Sequence, residues 1–361
     1  MEKKSFLLLF LVVAIVFSLV VFFFLLKGAG LSPAELEECN TLKFNGDDKT
    51  SVVFFSDKKT SERYANSLLS FSPFSGNKEQ FNFYYIDYEP SCELYKGIAL
   101  LCYSKDLIKK AGSCPNDYIV VVEEESGNIR SSSYMNVISL NSRQSLNVLP
   151  HEFGHAFASL SDEYVPAKVP RGAKNCISNC DSFGELGEGC FEGCGEEEYF
   201  RSIESGIMRT LNSNKYGEFN ENIILGRLGV SSGGSVAGMA VGDFESCSDE
   251  KYYLIDLYYD ENGEISVVDK KMELGCVGSN GYGDFELQIV LEDGRILDGG
   301  EFNPELIFTD ANEGGDVYIY AGEFVLKVPA IEGAKSLEIN DGKGGEVQVS
   351  LLGMDARPCK L

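Results

Sequence analysis

The chain of 361 residues reads as an α/β layer followed by an all-β sandwich, with one apolar helix ahead of both. Three observations carry that reading. Residues Phe6 to Leu26 are apolar at every position but Ser18. Between residues 48 and 235, strand-like runs alternate with helix-like ones. From 248 to 361, short strand candidates follow one another with no helical period, the pattern of a β-sandwich.

The amino-terminal run, as a helix of 1.5 Å rise per residue, is about 30 Å long and matches a bilayer's hydrocarbon core. Lys3 and Lys4 precede it, whereas Lys27 and then Glu35, Glu37 and Glu38 follow. The positive-inside rule then predicts a cytoplasmic tail at 1–5, a transmembrane anchor at 6–26, and everything later outside a single-pass cell membrane. The alternative is a cleaved signal peptide with Gly28, Ala29 and Gly30 at the cleavage site, but a signal's apolar region usually runs about 7 to 15 residues.

A polar linker occupies 27–47. Thr50 to Ser56 then reads as a buried strand and Thr60 to Leu69 as a helix that Ser61 caps. Gln80 to Ile86 is a second strand, Ser104 to Ala111 a short helix, Tyr118 to Val122 a third strand and Ser131 to Leu140 another. A helix is expected from Asn141 or Ser142 onward. Val165 to Ser205, rich in Gly, Cys and acidic residues, reads as irregular and disulfide-tied. Phe219 to Leu228 closes the layer as a helix, and Ser231 to Ser235 (SSGGS) marks a boundary. Beyond it, Tyr252–Tyr259, Glu264–Val268, Phe285–Leu291, Val317–Tyr320, Phe324–Val328, Ser336–Ile339 and Glu346–Leu351 are strand candidates, with turns at Asp293-Gly294 and Asp341-Gly342.

Composition excludes some functions. With 31 Lys plus Arg against 56 Asp plus Glu, the net charge of -25 repels phosphate backbones, so no nucleic-acid partner is expected. Eleven cysteines fit an oxidising compartment. Cys176, Cys180, Cys190 and Cys194 form a tight quartet. Zinc ribbons prefer two-residue spacings, so two local disulfides are the expected state.

The chemistry lies in Leu149-Pro150-His151-Glu152-Phe153-Gly154-His155-Ala156-Phe157, which holds HExxH and both histidines of the chain. On a helix, positions i and i+4 share a face, so His151 and His155 can reach one zinc ion. Glu152 then stands beside the metal as general base for a water that the zinc activates. A third ligand is required. Seven further helical residues from His155 would carry a side chain about 10 Å along the axis, so Asp162 can coordinate only if the helix ends and the chain turns back. Asp162 is the first choice and Glu163 the second, with Glu196, Glu197 and Glu198 as a later source.

His151 to Tyr164, HEFGHAFASLSDEY, resembles the active-site signature of the IgA peptidase family of zinc metallopeptidases. The likeness extends to Gly189-Cys190-Phe191-Glu192-Gly193, Tyr199-Phe200-Arg201-Ser202 and Ser205-Gly206-Ile207-Met208-Arg209, and more weakly to Ser72-Pro73-Phe74 and Phe81-Asn82. The resemblance implies a metzincin-like catalytic domain over 48–235, zinc on His151, His155 and Asp162, Glu152 as catalytic base, and Met208 in a turn beneath the metal. Two features depart from the metzincin pattern: Ala158 replaces a turn glycine, and Asp162 falls one position later than the usual third ligand. Together these readings give a membrane-anchored extracellular zinc metalloendopeptidase acting on protein or peptide substrates. Tyr164, Arg209 and Tyr216 are candidates to stabilise the oxyanion. The competing reading is a surface adhesion protein whose peptidase domain is inactive.

Overall fold

Strand β2 (Thr50–Phe55) lies at the heart of the chain, and its four inward residues show how the layers are built. Val52 and Phe54 point to one face of a six-stranded sheet, Val53 and Phe55 to the other, and all four are fully buried. A strand apolar on both faces demands cover on both, which is why it reads as a continuous hydrophobic run. The computed structural model describes residues 37–125, 129–184, 189–229, 247–310, 316–319, 321–352 and 354.

The sheet also holds β1 (Asn40–Lys43), β3 (Phe81–Ile86), β6 (Tyr118–Glu123), β7 (Ser132–Tyr134) and β8 (Val137–Asn141), in the order β1-β3-β2-β6-β8-β7. The four central strands are parallel, and β1 and β7 close the edges antiparallel. A short hairpin, β4 (Glu93–Tyr95) and β5 (Ala99–Leu101), lies alongside. On one face pack α1 (Lys58–Leu68) and α3 (Val148–Ala158). On the other packs α2 (Lys105–Ala111), capped by Ser104. Beyond α3 come α4 (Asp181–Gly184), the hairpin β9 (Phe191–Cys194) and β10 (Glu196–Arg201), and α5 (Glu218–Arg227).

Twelve residues of the carboxy-terminal region show what covers the second face. β11 (Lys251–Tyr259) pairs with β12 (Ile265–Leu274) and β17 (Gly322–Pro329). A second antiparallel sheet runs β14 (Ile296–Phe302), β13 (Phe285–Leu291), β18 (Ala334–Asn340), β19 (Glu346–Ser350). A separate hairpin joins β15 (Ile307–Asp310) to β16 (Asp316–Ile319). Tyr253, Ile255, Leu257, Phe324 and Leu326 meet Leu287, Ile289, Leu337 and Ile339 in one cluster between the two sheets. The opposite face of the first sheet turns Tyr252, Leu254 and Val325 onto Val53, Phe55, Ile119 and Val121. Strands β11 and β17 are thus covered on both sides, whereas β12 is largely exposed.

The contact between the two regions is specific. Tyr103 Oη donates to the Val325 carbonyl (3.1 Å) and accepts from the Val325 N–H (3.0 Å). Lys105 pairs with Asp256, and Lys109 with Glu273 at 3.3 Å. The Cys276 N–H donates to the Gly112 carbonyl at 2.8 Å. Five disulfides tie the described residues: Cys39–Cys114, Cys92–Cys102, Cys176–Cys194, Cys180–Cys190 and Cys247–Cys276. The quartet forms two nested local bridges, as expected.

Several expectations are corrected. Phe6 to Leu26 lies outside the described residues, and among the described residues no helix is long and apolar enough to cross a membrane. The longest described helices, α1 and α3, have 11 residues and so reach about 16 Å. The anchored, single-pass, cell-membrane reading with its extracellular catalytic domain is therefore withdrawn, with the membrane as partner. Residues 40–43 of the expected linker form an edge strand. Asp57, not Ser61, caps α1, accepting from the Lys59 and Thr60 N–H groups at 2.9 and 3.1 Å. The single strand expected at Ser131 to Leu140 turns back at Met135 (φ 54°) into β7 and β8. Helix α3 starts only at Val148, because Ser142–Asn147 is spent in turns.

Two stability experiments follow. Gly278 has φ +70°, and a Cβ there would lie 1.9 Å from the Asn116 carbonyl oxygen; Gly294 has φ +84° with open space around it. Gly278→Ala should lower stability by at least about 2 kcal/mol more than Gly294→Ala in denaturant unfolding, since only the first adds a clash to the strain. Lys327, buried at the same contact, donates to Asn116 Oδ1 at 3.2 Å, and burial pushes its ammonium down to about 7 against the pull of Asp117. The unfolded chain then binds more protons between pH 7 and 10, so this lysine's contribution to stability rises with pH. The stability of the native chain minus that of Lys327→Met should climb from pH 7 to 9 by up to about 1.4 kcal/mol per pH unit. A flat difference would show that the ammonium stays charged in the fold.

Candidate metal centre

Helix α3 owes its place to aromatic packing. Phe153 and Phe157 stack on each other (centroids 5.1 Å apart) and meet Phe74, Phe81 and Tyr118 of the sheet and its flank. Pro150 sits in the first turn, where a missing N–H costs no hydrogen bond. With that face buried, His151, Glu152 and His155 line a cavity of about 290 Å³.

The helix ends after Ala158. Ser159 takes the left-handed conformation (φ 49°, ψ 39°), with its N–H on the His155 carbonyl (3.1 Å) and the Leu160 N–H on the Gly154 carbonyl (3.2 Å). The chain therefore reverses, and Asp162 returns to the histidines instead of running on along the axis. His151 Nε2 lies 3.2 Å from Asp162 Oδ1, His155 Nε2 lies 3.4 Å from it, and the two imidazole nitrogens are 3.2 Å apart. Four-coordinate zinc with bonds of 2.0 to 2.1 Å requires ligand atoms about 3.3 Å from one another. The triangle has that size.

The chemistry of the donors agrees. His151 Nδ1–H donates to the Ile207 carbonyl at 2.9 Å, and His155 Nδ1–H to the Leu160 carbonyl. In the neutral imidazoles both Nε2 atoms then carry lone pairs, and these face Asp162 Oδ1, a buried oxygen with no hydrogen-bond donor of its own. Three electron pairs converging this closely call for a cation. The same carboxylate also draws a proton, the simplest cation: burial opposes charging His155, but Asp162 outweighs it and raises the imidazole to about 9, so a metal ion binds here in competition with that proton. Burial would raise Asp162, and the imidazoles override it, holding the carboxyl well below its usual range. Burial raises Glu152 against the pull of the two histidines.

Supports stand on both sides of Asp162. Asn175 accepts from the Ser161 N–H (2.6 Å) and returns its amide to the Ser161 carbonyl (2.9 Å), while the next residue, Cys176, is bridged to Cys194. The Gly195 carbonyl, one residue after Cys194, holds the Ala167 N–H at 2.7 Å. One disulfide thus joins the two grips on the ligand loop. Below α3, a Cβ on Gly154 would come within 2.8 Å of Met208 Sδ, so the glycine admits the methionine under the helix.

The remaining candidates separate. Glu163 is fully buried and turned away, its Oε1 accepting from Asn220 (2.8 Å) and Asn175 (3.2 Å), and burial pushes it up to about 7. Glu196 pairs with Lys168 at 2.7 Å, and Glu197 and Glu198 are exposed. Of the expected oxyanion donors, Tyr164 and Arg209 line the cavity, whereas Tyr216 donates to the Pro150 carbonyl beneath the helix. Sequence reasoning missed Arg130, Asn175 and Asn220. It also missed the far wall, where Tyr282, Asn303, Glu305 and Leu306 arrive from the carboxy-terminal region. No short-range pattern marks any of these; a tertiary fold assembles them.

No protein-family model matches the chain, and no curated protein matches it. The geometry therefore carries less than the sequence-based expectation of a zinc endopeptidase: it holds a buried His151–His155–Asp162 cluster able to coordinate a metal ion. Asp162→Ala should weaken divalent-metal binding by more than about 100-fold, beyond the 10- to 100-fold usual for supporting residues. Glu163→Gln should leave metal affinity within about threefold. Chelator competition on both variants checks the ranking, and the reverse order would transfer the third donor to Glu163.

Proposed function

We propose that the chain is a zinc-dependent hydrolase of peptide bonds, with His151, His155 and Asp162 as ligands and Glu152 as general base. The observation that carries this reading is the triangle of three inward-facing donors with a buried glutamate one residue along the same helix, open to a cavity. The resemblance of His151–Tyr164 to the IgA peptidase signature supports the choice of peptide over other substrates. When bound, zinc polarises a scissile carbonyl and makes water a stronger acid. Glu152, kept out of bulk water and raised by burial, takes a proton and later returns it to the leaving amine. The burial of Glu152 strengthens these charge interactions. Arg209, on the cavity wall, is a donor that would stabilise charge on the carbonyl oxygen.

Glu152→Gln should retain metal, because none of the three ligands is touched, and lose about 10²- to 10⁴-fold in turnover of an unstructured protein substrate. Metal content and casein cleavage, measured with and without chelator, test this together. Cleavage of glycan but not peptide substrates in the parallel assay would replace the substrate class, and residual peptide turnover above a tenth would remove Glu152 from its role.

A further inference from the structure

The second oxygen of Asp162 has a partner the ligand triangle does not use. Tyr164 Oη lies 2.8 Å from Asp162 Oδ2, and Arg130 Nη1 lies 3.2 Å from Tyr164 Oη. The direction of this chain is fixed by what each group can do. A guanidinium only donates, so the tyrosine oxygen accepts from Arg130, and its single hydrogen is committed to the carboxylate. Arg130 is itself anchored by backbone, its N–H on the Ile98 carbonyl and its carbonyl on the Leu100 N–H, both at 2.9 Å.

Resting on the metal reading above, we propose that Arg130 and Tyr164 are positioning residues that make Asp162 a single-oxygen ligand. With Oδ2 held by the phenol, only Oδ1 faces the imidazoles, and the carboxylate cannot rotate to offer both oxygens. The same commitment removes Tyr164 from the oxyanion donors: its one hydrogen is already spent. A hydrogen bond that Arg130 polarises is stronger than one from an isolated phenol, so the guanidinium acts on the metal site through the tyrosine.

The test uses the full chain and reads metal binding, which requires no substrate. Zinc affinity is measured by chelator competition for the native chain, Tyr164→Phe, Arg130→Met and the double variant. Tyr164→Phe should weaken zinc about 10- to 100-fold, the usual cost of a lost supporting hydrogen bond to a ligand. Arg130→Met should weaken it less, and the double variant no more than Tyr164→Phe alone, since Arg130 works through the phenol. Cobalt(II) in place of zinc gives the second readout: freeing Oδ2 in Tyr164→Phe should change the visible spectrum toward higher coordination. Unchanged zinc affinity and an unchanged cobalt spectrum in Tyr164→Phe would overturn the proposal, and additive losses in the double variant would overturn the relay. A native chain that binds neither metal would instead overturn the metal reading before the variants are compared.

Discussion

The reversal at Ser159 decides whether Asp162 meets His151 and His155 or leaves along the axis of α3. A left-handed backbone on a serine is uncommon and costs energy that glycine would not incur. It persists because both sides of the turn are over-determined. The Ser159 and Leu160 N–H groups close onto the last helical carbonyls, the Leu160 carbonyl receives His155, and Asn175 clips the backbone of Ser161. The Ser159 bond is the last of the helical ladder, whereas the others would be lost if the helix ran on. The ligand triangle is thus a product of how the helix stops.

The nested disulfides and the carboxy-terminal sheets appear in this light as parts of the same site. Cys176–Cys194 joins the residues that grip the ligand loop, and the loop then crosses to the other region, where the Arg171 N–H donates to Glu305 at 3.1 Å and its guanidinium lies over the Phe285 ring. Glu305 and its neighbours in turn wall the cavity opposite the helix. The β11 sheet holds this arrangement from two faces, one packed on the six-stranded sheet and the other on a second antiparallel sheet. Movement of either layer would open voids in close-packed apolar surface.

Some of this was readable from the residues alone. His151, Glu152 and His155 stand at helical spacing beside an apolar stripe, so local periodicity was enough to place them on one face. Asp162 was readable as a candidate, but choosing it over Glu163 depended on a backbone angle at Ser159 that no glycine or asparagine announces. β14 escaped notice because Gly299 and Gly300 interrupt it; in the fold Gly299 accommodates the close approach of Leu287, at a register shift in the pairing. β1 was hidden by its polar edge-strand sequence, Asn-Thr-Leu-Lys. The run Tyr252–Tyr259, broken by Asp256, was readable as a strand, although the layers that cover its two faces could not be named from it. Arg130 and Asn175 carry no local mark at all, because their roles depend on partners 34 and 14 residues away.

The closed covalent rings bear on how the molecule would withstand a cut in its backbone. Five bridges make loops of 75, 10, 18, 10 and 29 residues. A backbone cut anywhere inside 40–113, 177–193 or 248–275 opens a ring without separating the chain, so the severed ends stay tethered within reach of their native neighbours. Damage there is local and the fragments remain one molecule. The stretch from 195 to 246 lies inside none of these rings, and a single break in it beyond α5 would divide the layer that carries the two histidines from the strands that complete its cavity, leaving the described residues of the two held together by noncovalent contacts.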